Sequence, residues 1–349
     1  MYYLSQIDYV FLLLLVSILT ASALAWVSIR LAPTIELMDE PGSANHKTHS
    51  TPMPVVGGVV VIDTFILVVL FSGKWSVNPV IGILLSSIVV GLFGLWDDYR
   101  HLKAELKLLG QVLGAVILIS FDVHVNFFGS PEFFFQINPD LAHWLNLLVT
   151  ILWLVTLTNA FNFIDSFDGL AAGLAALSSA FFLIISLETG QQSMIFLCTI
   201  ILGISMALYF LNSHPAELFL GDSGAQTLGF VLAAIAILYR PLDGNQASTW
   251  LIPVLIFSVP IFDLCLVVFS RLRRRKKIHK ASRDHTYHRL EMLGIPLTRA
   301  VLLMHGISLL LSMVGYLCIN LPYIIANVVF SLVLLLGIFA FFELDKNYN

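Results

Sequence analysis

The chain has few charged residues and few cysteines for its length. Of its 349 residues only 11% are charged, whereas 58% are hydrophobic. A soluble globular domain carries roughly a quarter charged residues, so this composition excludes a surface that mostly faces water. The three cysteines, Cys198, Cys265 and Cys318, all lie in apolar runs, so we expect buried thiols rather than a disulfide or metal set. Lipid is the solvent that this composition favours, and we expect no nucleic-acid partner.

Long apolar runs follow one another along the whole chain. A helix of about 20 apolar residues crosses a hydrocarbon core of about 30 Å. By that measure the chain offers eleven candidate spans, near residues 9–31, 55–72, 79–96, 106–121, 143–158, 170–187, 193–211, 224–240, 250–270, 299–319 and 321–342. The sequence therefore predicts an all-α integral membrane protein, a polytopic bundle of about eleven transmembrane helices within one membrane-embedded domain, residues 1–349.

The basic residues indicate how these spans are oriented. Eleven spans place the loops alternately on two sides, and the 18 Lys and Arg residues divide 16 to 2 between those sides. Cytoplasmic loops carry the excess of Lys and Arg. The rich side holds the run from Arg271 to Arg299 and the tail residue Lys346, whereas the poor side holds only Lys74 and Arg240. We therefore predict that the N-terminus is outside and the C-terminus is cytoplasmic.

Five polar motifs all fall on the predicted cytoplasmic side. Their loops lie near residues 32–54, 97–107, 159–170, 212–223 and 271–298, and contain in order HKTHSTPMPVVGG, GLWDDYR, TNAFNFIDSFDGL, FLGDSG and SRDHTYHRL. An ionisable group at a span end is costly unless it is solvated or paired, so each motif indicates a functional site. Singly, each has a plainer explanation, such as a turn at GDSG. For Asp263, ahead of the last loop, the plainer explanation is a pair with a nearby basic group such as Arg271. Five motifs on one face are hard to obtain by chance.

The residue types in these motifs are those of phosphoryl transfer. Asn162, Asp165 and Asp168 are spaced three apart, which puts neighbouring members on adjacent parts of a helix surface. Carboxylate and amide oxygens suit Mg²⁺, which keeps waters and bridges phosphates. In Asp97-Asp98 two like charges stand side by side, which disfavours full ionisation and leaves one carboxylate usable as a base. Basic side chains for phosphates are also present: Lys47, Lys107, His285 and His288.

Two other classes of protein would use the same residues. A secondary transporter of a phosphorylated or lipid-linked substrate would suit eleven spans that contain acids. Transporter sites lie near the bilayer midplane, however, whereas these polar groups lie at the cytoplasmic span ends. A non-catalytic scaffold leaves the magnesium-type cluster unexplained.

With these motifs in this order, from about Asp39 to Leu290, the chain resembles the polyprenyl-phosphate N-acetylhexosamine-1-phosphate transferases of glycosyltransferase family 4. That family includes the enzymes that begin O-antigen, enterobacterial common antigen and wall teichoic acid synthesis, and the MurNAc-pentapeptide transferase of peptidoglycan synthesis. The resemblance implies transfer of a sugar-1-phosphate from a UDP-sugar to polyprenyl (undecaprenyl) phosphate, with release of UMP. It also implies Mg²⁺, or Mn²⁺ in its place, a cytoplasmic active site in the bacterial inner membrane, and a homodimer as one possible assembly.

The resemblance assigns roles to single residues. Asp222 would bind the metal, with Asn162 as second ligand or close neighbour. Phe219 would stack on uracil, and Lys107 would contact the diphosphate. The catalytic residues would be Asp97, Asp98, Lys107, His285 and His288. The remaining substrate-binding residues would be Lys47, Asn159, Asp165, Asp168 and Arg283.

The chain departs from the family's motifs at three positions. Ser282 stands where an acid is usual, Tyr287 replaces the middle histidine of the last motif, and Ser166 follows Asp165 where the family has DG. These changes leave the sugar open and argue against the peptidoglycan branch, which carries an all-histidine triplet. Direct attack of the lipid phosphate and a two-step path through a phosphoenzyme on Asp98 or its neighbour both stay open.

Overall fold

The computed structural model describes residues 2–41, 51–128, 137–240, 251–277, 284–346 and 348. Most of these residues are helical. The helices are α1 (Tyr2–Leu31), α2 (Gly57–Phe71), α3 (Asn78–Arg100), α4 (Ala104–Ser120), α5 (Pro139–Ile164), α6 (Leu170–Thr189), α7 (Gln192–Asn212), α8 (Gly221–Leu238), α9 (Leu251–Ile256), α10 (Ser258–Arg273), α11 (Thr286–Met292), α12 (Leu297–Cys318) and α13 (Tyr323–Lys346). Two short strands, β1 (Met38–Asp39) and β2 (Met53–Pro54), pair antiparallel, and a 3₁₀ turn (Lys74–Ser76) precedes α3.

Each of the eleven apolar segments is helical over most of its length. Among the described helices, eight are long and apolar enough to cross a membrane. The other three segments are α2 with 15 residues, α4 with 17, and the ninth segment, which is divided between α9 and α10. The chain is thus a mostly helical, multi-pass membrane protein, while the count of eleven spans and their orientation stay predictions.

The ninth segment is interrupted at Phe257, between α9 and α10. Pro260 lies three residues later and has no backbone N–H, so it cannot donate to the carbonyl of Ile256, and its ring crowds that carbonyl. The two helices remain joined, because Phe257 donates its N–H to Pro253 O and accepts one from Ile261, each at 3.0 Å. The proline therefore bends the segment without ending it.

The centre of the bundle is α8. In its most apolar window 83% of the residues are buried, compared with 6% in α13 at the periphery. Helices α3, α5 and α2 pack directly on α8. A side chain at Gly229 of α8 would come within 2.9 Å of the Leu157 carbonyl of α5, so glycine allows these two backbones to approach closely. The central helices are therefore fixed tightly relative to one another.

The cysteines only partly follow the sequence prediction. Cys198 and Cys318 are buried free thiols, as predicted. Cys265 is exposed on α10, so the prediction of a buried thiol is wrong at this position. An apolar helix in a membrane can turn an apolar residue towards lipid, so an apolar run does not distinguish burial in protein from exposure to lipid.

Candidate active site

Four helix ends meet around Asp222, the second residue of α8. Its carboxylate Oδ1 accepts a hydrogen bond from Asn162 Nδ2 of α5 at 2.5 Å and lies 3.2 Å from Lys107 Nζ of α4. Lys107 also pairs with Asp97, near the end of α3. We call Asp97, Asp98, Lys107, Asn162 and Asp222 the junction. It brings together three motifs that are far apart in the sequence.

The two adjacent aspartates have separate partners. Asp98 accepts hydrogen bonds from the backbone N–H groups of Asp222 at 2.7 Å and Ser223 at 3.0 Å, so it caps the N-terminus of α8. A carboxylate there satisfies unpaired N–H groups and compensates the positive end of the helix dipole. Asp97 accepts a hydrogen bond from the N–H of Leu102 at 2.5 Å and pairs with Lys107. The two carboxylates are therefore held in different ways, and Asp97 is the one that contacts the site's lysine.

Of the three polar residues spaced three apart, only Asn162 lies on a helix. Helix α5 ends at Ile164, so Asp165 and Asp168 lie in the turn before α6. The prediction that all three share a helix surface is therefore wrong for both aspartates. Gly169 has φ +74°, a left-handed conformation that glycine adopts without strain, and it turns the chain into α6.

The two aspartates of this turn have different surroundings. Burial raises the pKa of the Asp165 carboxyl well above its usual value, and the negative charges of Asp222 and Asp98 raise it further. Asp168 contacts His214 of the loop that precedes α8, with 3.2 Å between Oδ2 and Nδ1. Asp165 is thus electrostatically part of the junction, whereas Asp168 connects the turn to the loop that carries Phe219.

Asn159 is held by other amides. Its Nδ2 donates to Gln111 Oε1 of α4 at 2.7 Å and to the Val155 carbonyl at 2.8 Å. Gln111 Nε2 in turn donates to Gln226 Oε1 of α8 at 3.1 Å. This network joins α4, α5 and α8 one helical turn away from Asn162. The contacts favour a bracing function for Asn159 over the direct substrate contact expected from the sequence.

The first motif is joined to the FLGDSG loop by backbone contacts. Val55 and Phe219 form a parallel bridge, and Gly58 donates its N–H to the Leu220 carbonyl at 3.2 Å. A Cβ on Gly58 would overlap the side chain of Ser223, so only glycine permits this approach. These contacts place the backbone of Phe219, whose side chain is half-buried, beside the N-terminus of α8. Lys47 and Arg283, two further predicted site residues, lie outside the described residues.

The catalytic histidine predicted at position 285 is anchored by a buried acid. His285 Nδ1 lies 2.8 Å from Asp263 Oδ2, and Asp263 Oδ1 accepts the backbone N–H of Thr286 at 2.6 Å. Asp263 thus does pair with a basic side chain, but the partner is His285 and not Arg271. A carboxylate at Nδ1 fixes the imidazole orientation and directs Nε2 away from α10. His288 lies on α11, with its Nδ1 3.6 Å from Glu291 Oε2.

Buried ion pairs surround this histidine. We call residues 284–289 the histidine segment. Arg271 binds both oxygens of Asp284, at 2.8 and 3.0 Å, and Arg274 adds a third contact at 3.0 Å. At the other end of the segment Arg289 pairs with Asp345 of α13 at 2.8 Å. The basic run at the end of α10 is thus partly structural, because Arg271 and Arg274 fix the segment that carries the histidines.

The junction fits a magnesium ion. Among the described residues no group of three or more His, Cys, Asp and Glu side chains forms a metal cage. Magnesium commonly takes one or two carboxylates from the protein and completes its octahedron with waters and substrate phosphates. Asp222 and Asn162 supply such a pair of donors, since the oxygen and nitrogen of an asparagine amide exchange places by a flip.

Fold and site together define a class: a multi-pass helical membrane protein with acids, amides and a lysine gathered at the ends of its central helices. The model of glycosyl transferase family 4 matches residues 80–240. A probable undecaprenyl-phosphate N-acetylglucosaminyl 1-phosphate transferase of Bacillus subtilis is 30% identical over 85% of this chain and 82% of that protein. A phospho-N-acetylmuramoyl-pentapeptide-transferase of Lactiplantibacillus plantarum is 32% identical over 74% of this chain and 81% of that protein. The chain belongs to this family of polyprenyl-phosphate sugar-1-phosphate transferases.

Proposed function

We propose that the chain transfers an N-acetylhexosamine-1-phosphate from a UDP-sugar to undecaprenyl phosphate and releases UMP. The observation that carries the proposal is the contact of Asp222 with both Asn162 and Lys107 at the N-terminus of α8. These groups offer metal ligands and a cation in one place, and transfer between phosphate-bearing substrates depends mainly on positioning and electrostatics. The Bacillus subtilis relative, a probable undecaprenyl-phosphate N-acetylglucosaminyl 1-phosphate transferase, supports the proposed acceptor and the type of group transferred.

The junction residues have different proposed roles in the reaction. Asp222 and Asn162 would hold Mg²⁺, or Mn²⁺ in its place, and the ion would neutralise charge on the diphosphate. Lys107 is oriented by two carboxylates, Asp97 and Asp222, so its ammonium is in position when a diphosphate approaches. Asp98 holds α8 through its N–H groups, which fixes the direction of Asp222.

The donor side of the site lies next to the junction. Phe219 would stack on uracil, because its ring is held beside Asp222 by the Val55 bridge. The other residues proposed to contact the substrates are Lys47, Asp165, Asp168, Arg283, His285 and His288. Asp165 and Asp168 would face the donor from the turn before α6, and the histidines from α11.

The site is proposed to face the cytoplasm of a bacterial inner membrane. Exposed aromatic residues lie near helix ends on both predicted sides, with Trp26 and Trp96 on the cytoplasmic side and Trp75, Trp144 and Tyr323 on the other. Trp and Tyr are enriched at both membrane interfaces. Their positions support helix ends at the two membrane interfaces, and the orientation itself rests on the basic residues.

The reaction is tested with purified protein in detergent micelles. Protein, undecaprenyl phosphate and a panel of UDP-sugars are incubated with Mg²⁺, Mn²⁺ or a chelator, UMP is measured, and the lipid product is weighed by mass spectrometry. We expect UMP and a lipid heavier by one sugar-1-phosphate, only with metal and acceptor. The proposal fails if no UDP-sugar gives UMP. A burst of UMP without acceptor would favour the two-step path.

The orientation is tested by cysteine labelling in a background without Cys198, Cys265 and Cys318. Glu217→Cys should resist a membrane-impermeant thiol reagent in intact cells and react after lysis. Ser76→Cys should react from outside in intact cells. Both parent residues are exposed, so access through the protein is not limiting. Labelling of Glu217→Cys from outside would contradict a cytoplasmic site.

A further inference from the structure

Tyr287 connects the histidine segment to the turn that carries Asp165. Only 1% of its surface is exposed, and its hydroxyl lies 2.8 Å from Ser166 Oγ and 3.1 Å from Ser166 O. The two residues are 121 positions apart in the sequence. A buried tyrosine hydroxyl without a partner is costly, so this hydrogen bond is the natural reason for a tyrosine here and not a phenylalanine.

The ring of Tyr287 also contacts the side chains on either side of it. Its plane is within 8° of the His285 ring at a centroid distance of 5.8 Å, and the His288 ring lies 4.2 Å away. Phe167, the residue after Ser166, packs against it at 5.7 Å. One side chain thus contacts both histidines and two residues of the turn between α5 and α6.

The other contacts that hold α11 connect it to α10 and α13. Asp263 fixes His285 relative to α10, and Arg289 fixes the other end of the segment to α13. Neither contact involves the turn before α6. Within the described residues of the segment, Tyr287 makes the side-chain hydrogen bond that reaches this turn. This hydrogen bond joins Tyr287 and Ser166, which are two of the three positions at which the chain departs from the motifs of the family it resembles.

We propose that Tyr287 is a positioning residue whose hydrogen bond to Ser166 sets where His285 and His288 stand relative to Asp165 and Asp168. The inference rests on the proposed transferase function. Tyr287 is too deeply buried to touch a substrate, so it acts through the histidines. Burial raises the pKa of Tyr287, so the phenol keeps its proton and the bond is present across the working pH range.

A double-mutant cycle with Tyr287→Phe and Ser166→Ala tests the proposal. Tyr287→Phe should lower kcat by about three- to tenfold while the KM for the UDP-sugar changes less than about twofold, as expected for loss of one positioning hydrogen bond. Ser166→Ala should have a smaller effect, because the backbone carbonyl of residue 166 still accepts. The double variant should be no slower than Tyr287→Phe, since both changes remove the same bond.

The matched control is Tyr316→Phe, which removes another tyrosine hydroxyl, hydrogen-bonded to Glu188 away from the site. It should leave kcat and KM unchanged. The inference is overturned if Tyr287→Phe has wild-type kcat, if the two changes multiply, or if lost turnover follows a lowered melting temperature. An inactive wild-type protein would instead refute the proposed function, so the two failures are distinguishable.

Discussion

The junction and the histidine segment are both built from charged residues, yet they are held in opposite ways. In the junction, the side chains of Asp222 and Lys107 are 29% and 26% exposed although they contact each other, and only Asp97 behind them is nearly buried, at 4%. In contrast, Asp284 of the histidine segment and Arg271 of α10 are 0% and 4% exposed and bind each other through two hydrogen bonds. Partly exposed charges remain available to a ligand, whereas buried ion pairs hold the backbone in place. The difference predicts that one cluster governs turnover and the other governs stability.

The largest effect on stability should come from breaking a buried ion pair. Asp284→Asn keeps the shape of the side chain but leaves the buried Arg271 and Arg274 without their carboxylate. Removing one partner of a buried ion pair costs about 3–5 kcal/mol. We expect a lower melting temperature in detergent, followed by helical circular dichroism. A variant that melts with the wild type would show that the segment is not held by this pair.

The next effect separates activity from stability in the junction. Asp222→Asn should reduce turnover by about 100- to 1,000-fold, the cost of removing one preorganised electrostatic group. Melting should fall much less than in Asp284→Asn, because the side chain of Asp222 is partly exposed and Lys107 keeps Asp97 as a partner. Asp140→Asn, at an exposed position at the start of α5, is the control and should be silent. Near-normal activity of Asp222→Asn at low Mg²⁺ would remove Asp222 from the metal site.

The comparison also shows which features the sequence could predict. Helices were predictable from apolar run length, because a backbone in lipid must satisfy its own hydrogen bonds. The meeting of Asp222, Asn162 and Lys107 was predictable because their motifs fall at span ends on the same predicted side of the membrane. These inferences need only the order of the motifs along the chain and the side on which each lies.

Contacts that depend on which helices become neighbours were not predictable in this way. The capping of α8 by Asp98 requires knowing that α3 ends beside α8. The pairing of Asp263 with His285 required rejecting Arg271, which is closer in sequence. Helix α5 ends at Ile164 with Asp165 as its cap residue, although the spacing of polar residues continues through Asp165 and Asp168. The apolar run before the basic loop did mark Asp263 as unusual, since a fully buried acid needs a partner.

A moderate effect is expected at the edge of the junction. Phe219→Ala should weaken UDP-sugar binding by about 1–3 kcal/mol, the range for a lost stack between a base and an aromatic ring. The loss should be equal for every UDP-sugar, because it acts on uracil. Binding is measured by calorimetry, with Phe71→Ala, an exposed ring at the end of α2, as control. A loss confined to one sugar would exclude stacking on the base.

The smallest effect on stability is expected where an ion pair is exposed instead of buried. Glu343 and Asp345 lie two residues apart in the last turn of α13, which offers a matched test within one helix. Glu343 is 3.9 Å from Lys346, and both side chains are more than half exposed, so Glu343→Gln should change the free energy of unfolding by less than about 0.5 kcal/mol. Asp345 is buried between Arg289 and Arg273, at 2.8 and 2.9 Å, so Asp345→Asn should destabilise the protein clearly more. Thermal melts of the two variants decide the matter: equal losses would mean that burial does not distinguish the pairs, and that the histidine segment is not held from α13.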